Sequence, residues 1–162
     1  MYHLAKTNWN DSEQLELLKA FIKAGAKVKG DGWDAIFEAG VRSSISKAMI
    51  PVLTAAGADP NARDAKGRTW LMINPMYITA FDEGFGLDIN AQDNEGMTAL
   101  MHLALTLRPM IMDLYADYVR SFIKRGAKTD LRTKEGKTLY QLVEKQLGPG
   151  YVYQLKRAGV KE

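Results

Sequence analysis

Histidine is the side chain most often used for proton transfer and metal binding near neutral pH, and this chain has two, His3 and His102. His102 lies in the stretch DNEGMTALMHLA, residues 93–104. A zinc site would need two or three further ligands at suitable spacing, but the chain has no cysteine and its other histidine is far away in sequence. We therefore expect His102 to have a structural or surface role.

Other residue patterns that support catalysis are also missing. A serine–histidine–acid triad could use only His102, and no serine stands in a nucleophile-elbow motif. Asp113 and Asp117 would share a helix face, an arrangement that an ordinary solvated helix also has. No phosphate-binding glycine loop occurs, and DINAQDNEG lacks the glycine and glutamate of a calcium loop. We predict that the protein is not an enzyme and holds no metal or cofactor.

The composition is typical of one folded, soluble domain. The 162 residues are 46% hydrophobic and 25% charged, with a net charge of +3. No window approaches about 20 consecutive apolar residues, and the first residues lack the pattern of a signal peptide. The lack of cysteine favours a reducing compartment. We predict a single cytoplasmic domain over residues 1–162 that makes no membrane contact and is a monomer on its own.

Positive charge is concentrated in the last third of the chain. Residues 121–162 contain ten lysines and arginines but only four acidic residues, whereas residues 61–120 are slightly acidic. A basic segment of this kind could contact nucleic acid or an acidic protein, or it could form an ordinary solvated surface.

Two patterns recur along the chain. In the first, a glycine is followed two residues later by a helix-capping residue and an apolar run, as in GDGWDAIFEAG, DAKGRTWLMIN, DNEGMTALMHLA and TKEGKTLYQLV. In the second, helical apolar spacing leads into a glycine, as in VLTAAGADPNARD, GFGLDINAQD and SFIKRGAKTDLR. Glycine permits the tight turn, and a Thr or Asp oxygen accepts a bond from the first helical turn. A period of ~33 residues predicts stacked helix–turn–helix units.

These stretches resemble the ankyrin repeat family. GMTALMHLA is similar to the family's G-x-T-P-L-H-x-A-A, and GADPNARD and LDINAQD are similar to its G-A-D-V-N-A-x-D. The resemblance extends from about residue 11 to residue 162 and implies an all-α ankyrin-repeat solenoid with projecting turn loops. The chain departs from the family at the proline after the capping residue, where it has Ala35, Trp70, Ala99 and Leu139.

The resemblance also implies a division of the chain into an N-terminal cap (1–30), three repeats (31–63, 64–92 and 93–132) and a C-terminal cap (133–162). The N-terminal cap would be a helix with Leu15, Leu18, Phe21 and Ile22 on one face. The second repeat is short and leaves little room for two full helices. The third is long, and its residues 107–118 have the character of an insertion. Gly148-Pro149-Gly150 would be the turn between the two helices of the C-terminal cap.

For function, the resemblance implies protein binding through a concave face and through the tips of the turn loops. Trp33 is the most specific candidate, because tryptophan, tyrosine and arginine dominate the energetics of interfaces. Carried over by position, the partner-binding residues are Asp31, Trp33, Arg42, Lys66, Arg68, Tyr77, Asn94, Glu95, Met97, Lys134 and Lys137.

Three interpretations of function remain open. The first is a non-enzymatic protein–protein interaction module that binds a partner protein. The second is an immunity or anti-defence inhibitor that neutralises a toxin or nuclease by direct binding. The third, which we rank last, is nucleic-acid contact through the basic C-terminal third, with an affinity that would fall steeply as salt is added.

Overall fold

The computed structural model describes residues 11–30, 33–36, 48–80, 86–106 and 112–161. Within these ranges the protein is mostly helical, which confirms the predicted all-α class. The strands β1 (Lys29–Gly30) and β2 (Trp33–Asp34) have two residues each and pair antiparallel, with Lys29 opposite Asp34. None of the helices in these ranges is long and apolar enough to cross a membrane.

The helices of the described ranges are arranged in two rows. Their bounds are α1 (Asp11–Lys23), α2 (Met49–Ala55), α3 (Trp70–Ile73), the 3₁₀ helix (Pro75–Ala80), α4 (Ala99–Thr106), α5 (Met112–Lys124), α6 (Leu139–Leu147) and α7 (Pro149–Arg157). In the first row α3 contacts α4 and α4 contacts α6, and in the second row α5 contacts both the 3₁₀ helix and α7. Each first-row helix also contacts the second-row helix that follows it along the chain.

The core lies between the two rows. Burying each large apolar side chain contributes about 1.5–3 kcal/mol relative to leaving it exposed. The buried side chains named below therefore hold the two rows together. Leu100 and Leu103 are fully buried, as the apolar spacing of this segment predicts. The other large side chains with almost no exposed surface are Ile36, Ile50, Trp70, Ile78, Tyr115, Val119, Phe122, Leu139, Val143 and Leu155.

The N-terminal helix packs one face against the core. Leu15, Leu18 and Ile22 contact the core, whereas Phe21, which the sequence places on the same face, is 41% exposed. At 3.6 residues per turn, Phe21 lies about 90° around the helix from the centre of the face formed by the other three. Phe21 therefore stands at the edge of the buried stripe.

The predicted insertion at 107–118 is in large part a regular helix. Helix α5 begins at Met112 and continues without interruption to Lys124. Tyr115 and Ala116 are buried, and the Tyr115 ring packs edge-on against Tyr151 of α7, with 5.6 Å between ring centroids. Burial raises the pKa of the Tyr115 hydroxyl, and the neighbouring Tyr151 adds to the effect. Residues 112–118 are thus part of the packed structure, while 107–111 lie outside the described residues.

The helices after turn 63–68 are short, and threonines cap two later helices. The segment 70–80 contains only a four-residue α-helix and a six-residue 3₁₀ helix, as its lack of room predicts. Thr98 Oγ1 accepts a hydrogen bond from the backbone N–H of Met101 (3.3 Å), and Thr138 Oγ1 accepts one from Gln141 (3.3 Å). Both threonines therefore cap the helices that follow them.

The turn between the last two helices is tighter than predicted. Gly148 alone separates α6 from α7, with φ of 86°, and Pro149 is already the first residue of α7. Proline suits that position because its fixed φ is helical and a helix's first N–H has no internal partner.

Three short turns, which we name turn A (63–68), turn B (92–97) and turn C (132–137), are built in the same way. In each, the backbone N–H of the second residue donates to the carbonyl oxygen four residues later. The three bonds, each 3.0 Å long, are Asp64 to Arg68, Asp93 to Met97 and Thr133 to Lys137. The turns therefore share one backbone conformation although their sequences differ.

Successive turns are joined by backbone hydrogen bonds. The N–H of Asn94 in turn B donates to the carbonyl of Lys66 in turn A, at 2.9 Å. The N–H of Lys134 in turn C donates to the carbonyl of Glu95 in turn B, also at 2.9 Å. Since these residues hold the same positions in their turns, one docking geometry is used twice.

The first side chain of each turn adds a second link. Arg63 Nη1 donates to the carbonyl of Gln92 at 2.7 Å, and Gln92 Nε2 donates to the carbonyl of Arg132 at 2.8 Å. Each of the three also donates to the glycine carbonyl of its own turn. An arginine and a glutamine can serve equally because both present N–H groups at the end of a long side chain.

Gly96 is placed where no side chain fits. Its φ is 79°, in the left-handed region, and a Cβ atom built on it would lie 2.7 Å from the backbone nitrogen of Lys134. Gly136, at the same position in turn C, has φ of 76° but open space around the corresponding point. The two glycines therefore share a backbone conformation, but only Gly96 has the backbone of another turn packed against it.

This difference predicts unequal effects of one substitution. Gly136→Ala should cost about 1 kcal/mol of unfolding free energy for the left-handed backbone alone. Gly96→Ala should cost at least about 1 kcal/mol more, because turn C must also move away. Urea unfolding of both variants measures the difference. Equal losses would show that turns B and C do not approach as closely as described.

Candidate functional site

The tips of turns A, B and C form consecutive patches of exposed side chains. We call this surface the turn-tip strip, and we define it by the exposed pairs Ala65–Lys66, Asn94–Glu95 and Lys134–Glu135. The hydrogen bonds between successive turns fix the backbone beneath it. The sequence-predicted residues Lys66, Glu95 and Lys134 are thus brought to one surface with exposed side chains.

Turn A is held by an aspartate that the sequence analysis did not select. Asp64 Oδ1 accepts hydrogen bonds from the backbone N–H groups of Lys66 (2.9 Å) and Arg68 (2.8 Å). Its Oδ2 lies 2.9 Å from Arg68 Nε and 2.7 Å from Arg68 Nη2. Burial raises the pKa of the Asp64 carboxyl, but the bonds from Arg68 and Lys66 outweigh it and the pKa is lowered.

This pairing changes the role of Arg68, which the resemblance places at the interface. The Arg68 side chain is 32% exposed and its guanidinium is bound to Asp64 within its own turn. Removing it would disturb the turn as well as any partner contact. Lys66, exposed beside it, is the cleaner probe of binding.

Turn B is held in the same way, with a histidine in place of the arginine. Asp93 Oδ1 accepts from the N–H groups of Glu95 and Met97, both at 2.9 Å. Asp93 Oδ2 lies 2.8 Å from His102 Nε2 on α4, and the Asp93 side chain is only 3% exposed. The predicted structural role of His102 therefore has a definite form: its ring ties turn B to α4.

The charge of Asp93 is stabilised by these contacts. Burial raises the pKa of its carboxyl, but the hydrogen bonds from His102, Met97 and Glu95 have the larger combined effect and lower it. An aspartate hydrogen-bonded to a histidine also occurs in catalytic triads. In this protein the other carboxylate oxygen, Asp93 Oδ1, accepts from two backbone N–H groups of turn B. The described residues contain no cluster of three metal-ligating side chains.

The remaining predicted binding residues differ in exposure and in their partners within the chain. Asn94 is exposed, but its Nδ2 donates to the Ala65 carbonyl at 3.1 Å, so it also joins turns A and B. Met97 is half-buried against the core, and Tyr77 is half-buried with its ring edge-on to Trp70 at 6.1 Å. Lys137 is half-buried, with its ammonium on Glu135 of the same turn.

Three predicted residues cannot be placed as side chains. Asp31 and Arg42 lie outside the described residues. Trp33 is described only through its backbone, which pairs with Gly30 in the small sheet. Their assignment to the partner-binding site stays a prediction.

Two asparagines that sequence reasoning passed over also link successive loops. Asn61 Nδ2 donates to the Gly86 carbonyl (2.8 Å), and its Oδ1 accepts from the N–H of Asp88 (2.7 Å). Asn90 makes the equivalent pair of bonds to Gly126 (3.1 Å) and Lys128 (2.7 Å). The signal was visible, because N-A-R-D and N-A-Q-D recur at 61–64 and 90–93.

No protein-family model matches the chain, and no curated protein sequence is similar to it.

The lowered pKa of Asp93 predicts a loss of stability in acid. A carboxylate whose pKa is lower in the folded than in the unfolded state stabilises the fold fully above its unfolded pKa. That contribution is lost as the pH falls through the folded pKa. We expect Asp93→Asn to lower the unfolding free energy by about 2 kcal/mol at pH 7, since bonds to a charged group are removed.

The deficit of Asp93→Asn should begin to shrink below about pH 4, where the carboxyl becomes protonated in the unfolded chain, and should disappear once the pH falls through the lower pKa of the folded protein. Thermal unfolding between pH 2 and pH 7 measures it. Asp64→Asn is the matched control, and it should show a smaller deficit because Asp64 is more exposed. A deficit for Asp93→Asn that is constant over this pH range would contradict the assignment.

Proposed function

We propose that the protein is a non-enzymatic protein-binding module of the ankyrin type, and that it binds a partner protein through the turn-tip strip. The observation that carries the proposal is the repeated docking of turns A, B and C. It places exposed polar side chains at matching positions of three consecutive turns.

Rigid turns favour tight and specific binding. Each interfacial side chain or loop that is ordered on binding costs free energy, so a surface whose backbone is already held loses less. In turns A and B the aspartate, the glycine and the bonds to the next turn all hold the backbone. The exposed lysines and glutamates at the tips can then steer and select a partner by charge.

The 3₁₀ helix supplies exposed apolar surface. Met76 of the 3₁₀ helix is 49% exposed, and Tyr77 beside it is half-buried. A flexible methionine next to an aromatic ring is a suitable contact for a partner's apolar side chain. An inhibitor that neutralises a toxin or nuclease would use the same surface, so partner identity separates the first two interpretations.

Binding to nucleic acid is less well supported, because two basic side chains of the C-terminal third have partners within the chain. Lys137 pairs with Glu135. Lys156 lies over the ring of Tyr140, with its ammonium 5.9 Å from the ring centroid. Contacts from lysine and arginine to phosphates supply most of the affinity for nucleic acid, so cations that are already paired contribute less.

A site-specific photo-crosslinking experiment tests the proposal. A photoreactive amino acid placed at Lys66 or Glu95 should capture a protein in cells that produce the chain naturally. The same amino acid at Tyr153, which is 65% exposed on α7, is the control and should not capture that protein. Capture from all three positions alike, or from Tyr153 alone, would place the interface elsewhere.

Charge reversal then measures the contribution of the strip. We expect K66E/E95K to weaken the captured partner's binding about tenfold, or ~1.4 kcal/mol, because both charges lie at the tips. The double substitution leaves the net charge unchanged, so a general electrostatic effect is controlled. Unchanged affinity would remove the turn-tip strip from the interface.

A further inference from the structure

Among the described residues, the docking surface that joins the turns is used twice, and turn C leaves it open. Turn A accepts the Asn94 N–H on its Lys66 carbonyl, and turn B accepts the Lys134 N–H on its Glu95 carbonyl. The equivalent atom of turn C is the carbonyl oxygen of Glu135. Among the residues that the structure describes, no backbone donor reaches it.

Two further features of this edge are also unoccupied. Arg63 and Gln92 each donate both to their own turn and to the next one, whereas Arg132 donates to Gly136 in its own turn. A Cβ atom on Gly96 would meet turn C, but the corresponding point at Gly136 is open. Turn C therefore presents the donor, the acceptor and the space that the earlier turns use to bind a neighbour.

A groove lies beside this edge. It has a volume of about 450 Å³ and runs between turn C and helix α6, where it is lined by Glu135, Gly136, Lys137, Gln141, Glu144 and Lys145. A segment that bonded to the Glu135 carbonyl would be next to this groove.

The charges of the three turns alternate, which identifies the kind of segment that fits. Turn A has three basic residues and one acidic residue, turn B has two acidic residues and no basic one, and turn C again has three basic residues and one acidic. The acidic turn B docks on the basic turn A. By the same rule the basic turn C would accept an acidic turn.

We propose that the open edge of turn C, together with the groove against α6, binds an acidic turn of a partner protein. The partner's backbone N–H donates to the Glu135 carbonyl, one of its carbonyl oxygens accepts from Arg132, and its carboxylates face Lys134 and Lys145. This inference rests on the proposed function and adds a second contact surface, at the end of the row of turns.

A cyclic peptide provides a defined probe. A backbone-cyclised peptide with the sequence of residues 91–98, AQDNEGMT, carries the acidic turn that already docks on turn A. Titrated into the ¹⁵N-labelled full chain at low salt, it should shift the amide signals of residues 132–137 and 141–145. The protein variant K134E/K145E should bind it at least fivefold more weakly, and a peptide with lysine in place of its glutamate should bind the wild-type chain at least fivefold more weakly.

K23E/K29E is the matched control, because it makes the same charge change on exposed residues of α1 and β1. It should bind the peptide as the wild type does. Shifts distributed over other parts of the chain, or equal binding by K134E/K145E, would overturn the proposal. Self-association seen by sedimentation velocity and abolished by K134E/K145E would overturn it too, since the occupant would then be a second copy of the chain.

The two proposals fail separately. K66E/E95K leaves turn C unchanged and should bind the peptide normally. Normal peptide binding without partner capture at Lys66 or Glu95 would refute the proposed function alone. Partner capture at those positions without peptide binding would refute only the open-edge site.

Discussion

The hydrogen bond between the backbones of successive turns is the constraint on which the rest of this structure depends. The Asn94–Lys66 and Lys134–Glu95 bonds set the spacing of turns A, B and C. Helices follow directly from turns A, B and C, so the spacing of the turns sets the spacing of α3, α4 and α6. Those helices are short, and α3 has only four residues. Short helices have little stability of their own, so the loops and the core must hold them.

Different side chains satisfy the same geometric need in successive turns. The carboxylates of Asp64 and Asp93 each accept hydrogen bonds from the N–H groups two and four residues later in the chain. The second oxygen of Asp64 is bound by Arg68, and that of Asp93 by His102. In turn C the hydroxyl of Thr133 takes one of those bonds, from Lys137. The requirement is for an acceptor at that position, and each turn meets it with a different residue. This is why the repeats are regular in structure and irregular in sequence.

The same bonds connect architecture with binding. A turn that is tied to its neighbour on one side projects its tip into solvent with a fixed backbone, which suits recognition of a partner. No described backbone donor reaches turn C from a following turn, so its carbonyl and its arginine can still form the bonds that turns A and B make to their neighbours. Because the charges of the turns alternate, the basic turn C favours an acidic segment.

Several features could be predicted from the sequence because they depend on residues close together in the chain. The glycine within each turn, the threonine caps and the lack of space for two full helices after turn A are local signals, and the structure agrees with them. The extent of α5 was missed because residues 107–118 do not match the repeat pattern, although Tyr115 and Ala116 pack in the core.

By itself, the sequence determined the helical class, the positions of the turns and the residues at their tips, since each follows from glycine, capping residues and apolar spacing over a few positions. Tertiary structure alone decided which of those tip residues remain available. Arg68 is bound by an aspartate of its own turn, and Asn94 bonds to a residue 29 positions away, while Lys66 is left exposed. His102 likewise ties turn B to its helix through Asp93. Such pairings depend on which side chains and carbonyl groups the folded chain turns toward one another, and spacing along the sequence does not specify that.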